Sequence, residues 1–322
     1  MSAAREPVIR VEAIAKDFRP GFGLRRKRVL DGISFAVRQG EIFGFVGPNG
    51  AGKTTTLKIL MGLIGASAGS ASILGHDVRE SAFRRHVGFL PENPYFYDYL
   101  TGREILAFYA RLSGVAGGEV GRRVSELLAW VGLEHAARAR LRTYSKGMLQ
   151  RIGIAQALVH DPSVVFLDEP MTGLDPIGRK EIRDLIRRLR AEGRTVFMNT
   201  HILSDVEMLC DRVAILVGGR IRYEGATEEI LTGEAREAEV VLAGLPAAAA
   251  AALEGRFGAP LRGQGDRVEL RVAQKDVSEL LKGALAGGAE VVSVTPHRIS
   301  LEEIFLSAVE SGGEAAGPGG AP

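Results

Sequence analysis

A single cysteine, Cys210, among 322 residues leaves the chain unable to form an internal disulfide, which fits a reducing compartment. An excess of charge of either sign is lacking as well. Lys and Arg number 41 against 39 Asp and Glu, so no strong field favours nucleic acid or anionic lipid as a main ligand. Long hydrophobic runs are also missing: the longest uncharged stretch, Ile59 to Gly75, is broken by four Gly and three Ser and falls short of the ~20 apolar residues of a membrane span. The N-terminal MSAAREPVIRVEAI places acidic residues and a proline where a signal peptide needs an apolar core. The expectation is a cytoplasmic protein with no segment crossing a bilayer.

What is present suffices for a large core. Apolar residues make up 46% of the chain and charged residues 25%, the balance of a globular protein with a principal domain and a smaller one. Cys210 lies in an apolar stretch and is expected in the core. The one basic run, Arg25 to Arg28, is short and reads as a solvated loop, with a lipid-headgroup or partner contact as the alternative.

Between Val8 and about Leu231, short β-branched runs alternate with longer amphipathic segments, which predicts an α/β domain over 1–231 with a largely parallel sheet. Buried strands are expected at Ile42 to Val46, Val164 to Leu167, Thr195 to Asn199 and Val213 to Val217. Apolar residues at helical spacing from Thr101 to Leu133 predict a helical subdomain at about 98–160. The pattern restarts near Thr232, with strands expected at Glu239 to Leu242, Val268 to Val272 and Val291 to Val294. That is a small α+β domain over 232–310, closed by a helix starting at Ser300 with Glu303 as its capping-box partner. The Gly/Ala/Pro-rich tail 311–322 lacks the apolar side chains to offset ordering entropy and is expected to be disordered.

Directly after the strand Ile42 to Val46 comes Gly47-Pro48-Asn49-Gly50-Ala51-Gly52-Lys53-Thr54, followed by Thr55. Two spaced glycines followed by Lys and Thr form a P-loop pattern: the glycines let successive N–H groups turn inward toward phosphate oxygens, and the next helix presents its positive end. A helix is expected from Lys53 to about Leu63. Lys53 would neutralise the β- and γ-phosphates of ATP, and Thr54 would offer its hydroxyl to Mg²⁺. Farther along, Val164 to Leu167 delivers Asp168 and Glu169 to a strand end, where ligands bind in such sheets. Adjacent strand residues point to opposite faces, so the two carboxylates cannot share a job unless the strand ends there. Asp168 is the natural Mg²⁺ holder and Glu169 the base that polarises an attacking water.

Several further motifs, in order along the chain, narrow the class. Tyr144-Ser145-Lys146-Gly147-Met148 with Gln150-Arg151, Gly173-Leu174-Asp175-Pro176, and Asn199-Thr200-His201 resemble the signature, D-loop and switch histidine of ATP-binding-cassette (ABC) transporter ATPase subunits. Phe18 is similar to the aromatic residue that stacks on adenine in that family. The resemblance spans about Val8 to Leu231. It implies an ABC-cassette P-loop core in which two ATP molecules are sandwiched between two subunits, each touching one P-loop and the other subunit's signature. Ser145 and Gly147 precede an apolar helical segment and offer a second anion-binding helix end. The resemblance also implies that His201 senses the γ-phosphate and that Asp175 couples the two sites.

Two departures stand out. Glu92 occupies the place of the family's usual glutamine and adds a negative charge while still able to ligate Mg²⁺. Lys146-Gly147-Met148 replaces Gly-Gly-Gln, so slow or partner-dependent hydrolysis is expected. The aromatic stretch Asn93 to Tyr99 reads either as subdomain core or as part of the groove that receives a helix of the membrane subunit. The C-terminal domain looks like that of exporter-type cassettes or is a dimer-supporting appendage. The partners expected are therefore a separate transmembrane permease and a second copy of the ATPase subunit as a homodimer, with no nucleic acid, at the inner face of the cell membrane. The alternative is a soluble ABC-type ATPase of translation or DNA repair, which normally carries a second cassette or a coiled-coil insertion.

Overall fold

Alternating apolar and polar residues build the opening hairpin, in which β1 (Pro7–Phe18) pairs antiparallel with β2 (Lys27–Arg38). The register slips around Ala13, whose φ of 47° marks a bulge. The computed structural model describes residues 6–19, 26–232, 237–258, 262–264, 267–297 and 300–313. The chain divides into two units, one formed by 1–227 with 305–322 and the other by 228–304.

In the first unit, β3 (Ile42–Val46) runs into α1 (Lys53–Leu60), and β4 (Ala68–Ile73) and β5 (His76–Asp77) extend the hairpin into a four-stranded sheet of order β2-β1-β4-β5. After β6 (Val87–Leu90) come α2 (Gly102–Leu112), α3 (Val120–Trp130) and α4 (Lys146–Ala157). The chain then returns through β7 (Val164–Asp168), α5 (Pro176–Ala191), β8 (Thr195–Thr200), α6 (Leu203–Leu209), β9 (Arg212–Val217) and β10 (Arg220–Ala226). The second sheet has the order β10-β9-β3-β8-β7-β6; every neighbouring pair is parallel except β10 with β9.

All residues of β3, β7 and β8 are buried, as expected for parallel strands covered on both faces. Phe35 of the first sheet lies with Phe43, Phe45 and Phe197 of the second at ring-centroid distances of 5.3 to 6.0 Å, so the two sheets share one core. Cys210 is buried against Gly44 of β3, on the face opposite Phe43 and Phe45, and burial pushes its thiol well above the ordinary range. Thr101 and Glu104 form a complete capping box at the start of α2. Arg123 of α3 donates to the carbonyls of Leu158 and Val159 at 2.6 and 3.1 Å, fixing α3 to the end of α4.

The helix after the P-loop is shorter than the sequence suggests. It ends at Leu60, and Gly62, with φ of 64°, turns the chain away before Leu63.

The second unit contains β11 (Glu237–Ala243), α8 (Ala247–Phe257), β12 (Arg262–Gln264), β13 (Arg267–Ala273), α9 (Val277–Ala286) and β14 (Glu290–His297); α7 (Thr227–Thr232) precedes them across the boundary between units. Its antiparallel sheet, β12-β13-β11-β14, packs Val240, Leu242, Leu270 and Val272 against Leu253 and Leu280 of the helices. The last helix, α10 (Leu301–Gly313), is capped by Ser300, whose hydroxyl accepts from the Glu303 N–H at 3.1 Å. Residues 311–313, expected in the disordered tail, close this helix; the rest of that tail, and Arg25 of the basic run, lie outside the described residues. Among the described residues no helix is long and apolar enough to cross a membrane.

Candidate functional site

A cavity of about 420 Å³ opens where the parallel strands end and α1 begins. Its walls are Asn49, Gly50, Gly52, Lys53, Thr54 and Thr55 of the P-loop and α1, Glu92 after β6, Glu169 after β7, Asn199 and His201 at the end of β8, and Lys27 and Val29 of β2. The strand-end location follows from the topology of an open parallel sheet.

At the loop, Gly52 takes φ of 113°, and a Cβ there would meet Leu30 Cδ2 at 2.6 Å and the Val29 carbonyl at 3.1 Å. Only glycine lets β2 pass this close. The N-terminus of α1 has no side-chain cap and no acid in its first turn, so its N–H groups and positive end are open to an anion. The Lys53 ammonium donates to the carbonyls of Gly47 and Pro48 at 2.7 and 3.4 Å. Burial lowers its pKa, and the nearby carboxylates of Glu169, Asp168 and Glu92 oppose that shift. Exchanging loop carbonyls for phosphate oxygens relieves the desolvation cost.

The sequence left a puzzle in the adjacent Asp168 and Glu169, which the backbone resolves. Strand β7 ends at Asp168, and Glu169 swings into the left-handed region with φ of 49°, a conformation costly for a non-glycine residue and concentrated at functional sites. Its carboxylate is held on several sides. Oε1 lies 2.8 Å from His201 Nδ1, and Oε2 accepts from Thr172 Oγ1 at 3.0 Å and Thr200 Oγ1 at 3.4 Å. With Glu169 ionised, the imidazole proton sits on Nδ1 and donates to the carboxylate. The carboxylate is thus held in one orientation, with His201 as its closest partner.

Asp168 Oδ1 accepts from Asn199 Nδ2 at 2.5 Å. Burial raises its pKa; the Asn199 bond and Lys53 pull down, Glu169 and Glu92 push up. The donors nominated for Mg²⁺, Asp168, Glu92 and Thr54, are all oxygens. Among the described residues no three His, Cys, Asp or Glu cluster tightly enough to hold a metal by themselves. That set fits Mg²⁺ of the kind that arrives on phosphates, bound through one or two carboxylates and otherwise by phosphate and water. Asn199 Oδ1, buried without a partner beside Asp168, fits a hydrated cation as well.

Asn199, Thr172 and Thr200 are positioning groups that the sequence reading did not assign to the site. The available signal was a polar pair, Asn199-Thr200, ending a fully buried strand. Lys27 corrects the solvated-loop reading of the basic run, since it lines the cavity.

Phe18, Gly47, Pro48, Ala51, Ser145, Gly147, Asp168 and Asp175 do not line the cavity. Gly47, Pro48 and Ala51 shape the loop behind it, with the Ala51 N–H bonded to the Pro48 carbonyl at 3.1 Å. Phe18 is exposed at the end of β1, paired in register with Lys27, and the Lys16 ammonium stands 5.1 Å from its ring. Ser145 is the N-cap of α4 and accepts from the Met148 N–H at 3.2 Å; Asp175 is the N-cap of α5 and accepts from the Gly178 N–H at 2.7 Å. Within the aromatic stretch Tyr95 is 93% exposed, Tyr97 and Tyr99 are also exposed, and Tyr97 packs against Phe108 at 6.0 Å, whereas Phe96 is half-buried near Gly153 of α4.

Known proteins share this arrangement. The sequence model of the family described as ABC transporter matches residues 30–172. An uncharacterized ABC transporter ATP-binding protein of Synechocystis is 45% identical over 302 residues, covering 93% of this chain and 84% of its own length. A daunorubicin resistance ATP-binding protein of Streptomyces coeruleorubidus is 37% identical over 293 residues, with coverages of 87% and 90%. The solved structure of an ATP-binding subunit of an ABC transporter superposes with a TM-score of 0.61 at 32% identity, covering 70% of this chain and 92% of that one.

Proposed function

The chain belongs to the ATP-binding proteins of ABC transporters, and from that premise we propose that it works as a homodimer which powers export through a separate transmembrane subunit. As a member it is an ATPase that binds ATP. The observation that carries the residue-level reading is the Glu169 carboxylate, lining the same cavity as the open end of α1 and held by His201 at 2.8 Å.

In this reading ATP lies with its β- and γ-phosphates on the P-loop N–H groups, and Lys53 leaves its loop carbonyls for phosphate oxygens. Thr54, Asp168 and Glu92 would hold Mg²⁺, which when bound would supply charge neutralisation on the phosphates. Glu169, fixed by His201, Thr172 and Thr200, takes the proton of the water that attacks the γ-phosphate. Phe18 stacks on adenine. Ser145 and Gly147 serve the nucleotide of a second copy, and Asp175 lies between the two sites. ATP favours the closed dimer and hydrolysis reopens it, so the work comes from differential affinity.

Export is supported by the drug-resistance name of the 37% identical relative. The exposed tyrosines at 95, 97 and 99 support a docking groove for the membrane subunit and, with it, a peripheral position at the inner face of the membrane. The C-terminal unit, expected at 232–310 and found as 228–304, serves as a support for the dimer.

Tagged Glu169→Gln protein, captured with ATP from detergent-solubilised membranes of its own cell, tests this. The expected result is retained ATP binding, turnover reduced by roughly 10²- to 10³-fold, and a stoichiometric multi-spanning protein that Tyr95→Glu releases. Ribosomes or repair proteins in its place would promote the soluble alternative, and full activity of Glu169→Gln would remove Glu169 as the base.

A further inference from the structure

Within the basic run, the structure sorts neighbouring cations to different tasks. Arg28 donates to Asp17 at 3.0 Å and to Asp31 at 2.9 Å, and Arg220 holds the other oxygen of Asp31 at 2.8 Å. These pairs tie β1, β2 and β10 together. Lys27 and Val29, at a register slip in the pairing of β2 with β1, both line the nucleotide cavity. Among the described residues no carboxylate pairs with Lys27.

The order of groups along the cavity fixes what this ammonium meets. At one end stand Glu169 and His201, where the γ-phosphate is attacked on the reading above. In the middle lies the open N-terminus of α1 with Lys53. Strand β2 crosses beside Gly52, which abuts Leu30 and the Val29 carbonyl. Lys27 lies two residues before Val29, where β2 abuts the β9–β10 turn at Gly219, across β3 from β8 and β7, so this wall is on the side of the cavity away from Glu169. A nucleotide whose γ-phosphate is at Glu169 and whose β-phosphate is on α1 extends its α-phosphate toward this wall.

We propose that Lys27 binds the α-phosphate of the nucleotide. The assignment rests on the cavity being the ATP site. A lysine ammonium is strongly hydrated and carries three donors, so its favourable exchange is water for an anionic oxygen rather than for a neutral ribose hydroxyl. The β- and γ-phosphates already have Lys53 and the helix end. Since ATP and ADP carry the same α-phosphate, Lys27 grips substrate and product equally and does not read the γ-phosphate. It thereby contributes to retention of ADP after hydrolysis.

The test is calorimetric titration of the full-length protein with Mg-ATP and Mg-ADP. Lys27→Met should weaken both nucleotides by the same factor, about five- to tenfold for a partly solvated charge-assisted contact. Lys27→Arg should stay within about twofold of wild type, and Arg26→Met, an exposed neighbour outside the cavity, should change nothing. Three outcomes overturn the assignment: unchanged affinity in Lys27→Met, a loss confined to ATP, or an equal loss in Arg26→Met, which would indicate a general field. Lys53→Ala separates the two levels of the argument. If it binds ATP like wild type, the nucleotide-site reading fails; if it loses ATP while Lys27→Met does not, only the role of Lys27 fails.

Discussion

Helices α1 and α4 both start next to a glycine and read in sequence as anion-binding ends, yet the chain treats their N-termini differently. At α1 the N-cap is Gly52, no side chain satisfies the first N–H groups, and no acid occupies the first turn. At α4 the Ser145 hydroxyl already accepts from the Met148 N–H at 3.2 Å. The N-terminus of a helix carries the equivalent of roughly half a positive charge, which an internal cap partly spends. A single chain therefore holds one complete phosphate site, at α1. The α4 end has to give up part of its own cap before Ser145 can turn to a phosphate. On the proposed dimer, nucleotide affinity then belongs to the isolated chain, whereas turnover depends on a second copy.

The largest effect that could break this contrast is that of Lys53→Ala. Removing the cation at the open helix end should weaken ATP binding by about 100-fold or more, read by calorimetry. Retained affinity would mean that α1 is not the anion end. Ser145→Ala should act in the opposite sense. ATP affinity of the isolated chain should stay within about twofold while turnover falls about tenfold, as expected when one charge-assisted contact is lost only in the assembled site. Loss of the cap should also cost about 1 kcal/mol of stability. If Ser145→Ala weakens binding as much as Lys53→Ala, the two ends are equivalent and the contrast fails.

The α1 site was legible because its signals are local: a buried strand, spaced glycines and a helix start within thirteen residues of sequence, Ile42 to Thr54. The rest of the cavity is not local. Asp168 meets Asn199 because β7 and β8 are parallel neighbours in that register, and nothing within either segment encodes the pairing. The turn at Glu169 requires a positive φ from a non-glycine residue, which no propensity predicts; it is imposed by Thr172, Thr200, His201 and the bond of its N–H to the Asn199 carbonyl at 2.8 Å. Lys27 was hidden by its neighbours, since four consecutive basic residues mask the start of β2, where the register slips, Leu30 is buried and Lys27 lines the cavity. The first sheet was equally hard to see, because β1 and β2 carry charges and bulges that blur their period of two.

The far end of α4 supplies the smallest and sharpest test. If α4 is fixed by the chain itself, its C-terminal anchor should affect stability and leave nucleotide affinity alone. His160 Nε2 donates to the Val87 carbonyl at 3.0 Å, while its buried Nδ1 has no partner. Burial holds the imidazole below its ordinary value of 6.5; the Val87 carbonyl pulls it up, the Arg123 guanidinium and His86 push it down, and Asp161 pulls it up. The folded chain thus keeps His160 neutral. As pH falls below 6.5, the unfolded chain takes up a proton that the folded chain refuses, so stability is lost from that pH down through the lowered folded value. Wild-type melting temperature should fall more steeply than that of His160→Gln as pH drops below 6.5, with ATP affinity at neutral pH the same in both. Parallel melting curves would show that the anchor does not titrate. A drop in affinity would tie the end of α4 to the phosphate site and merge the two helices that the contrast separates.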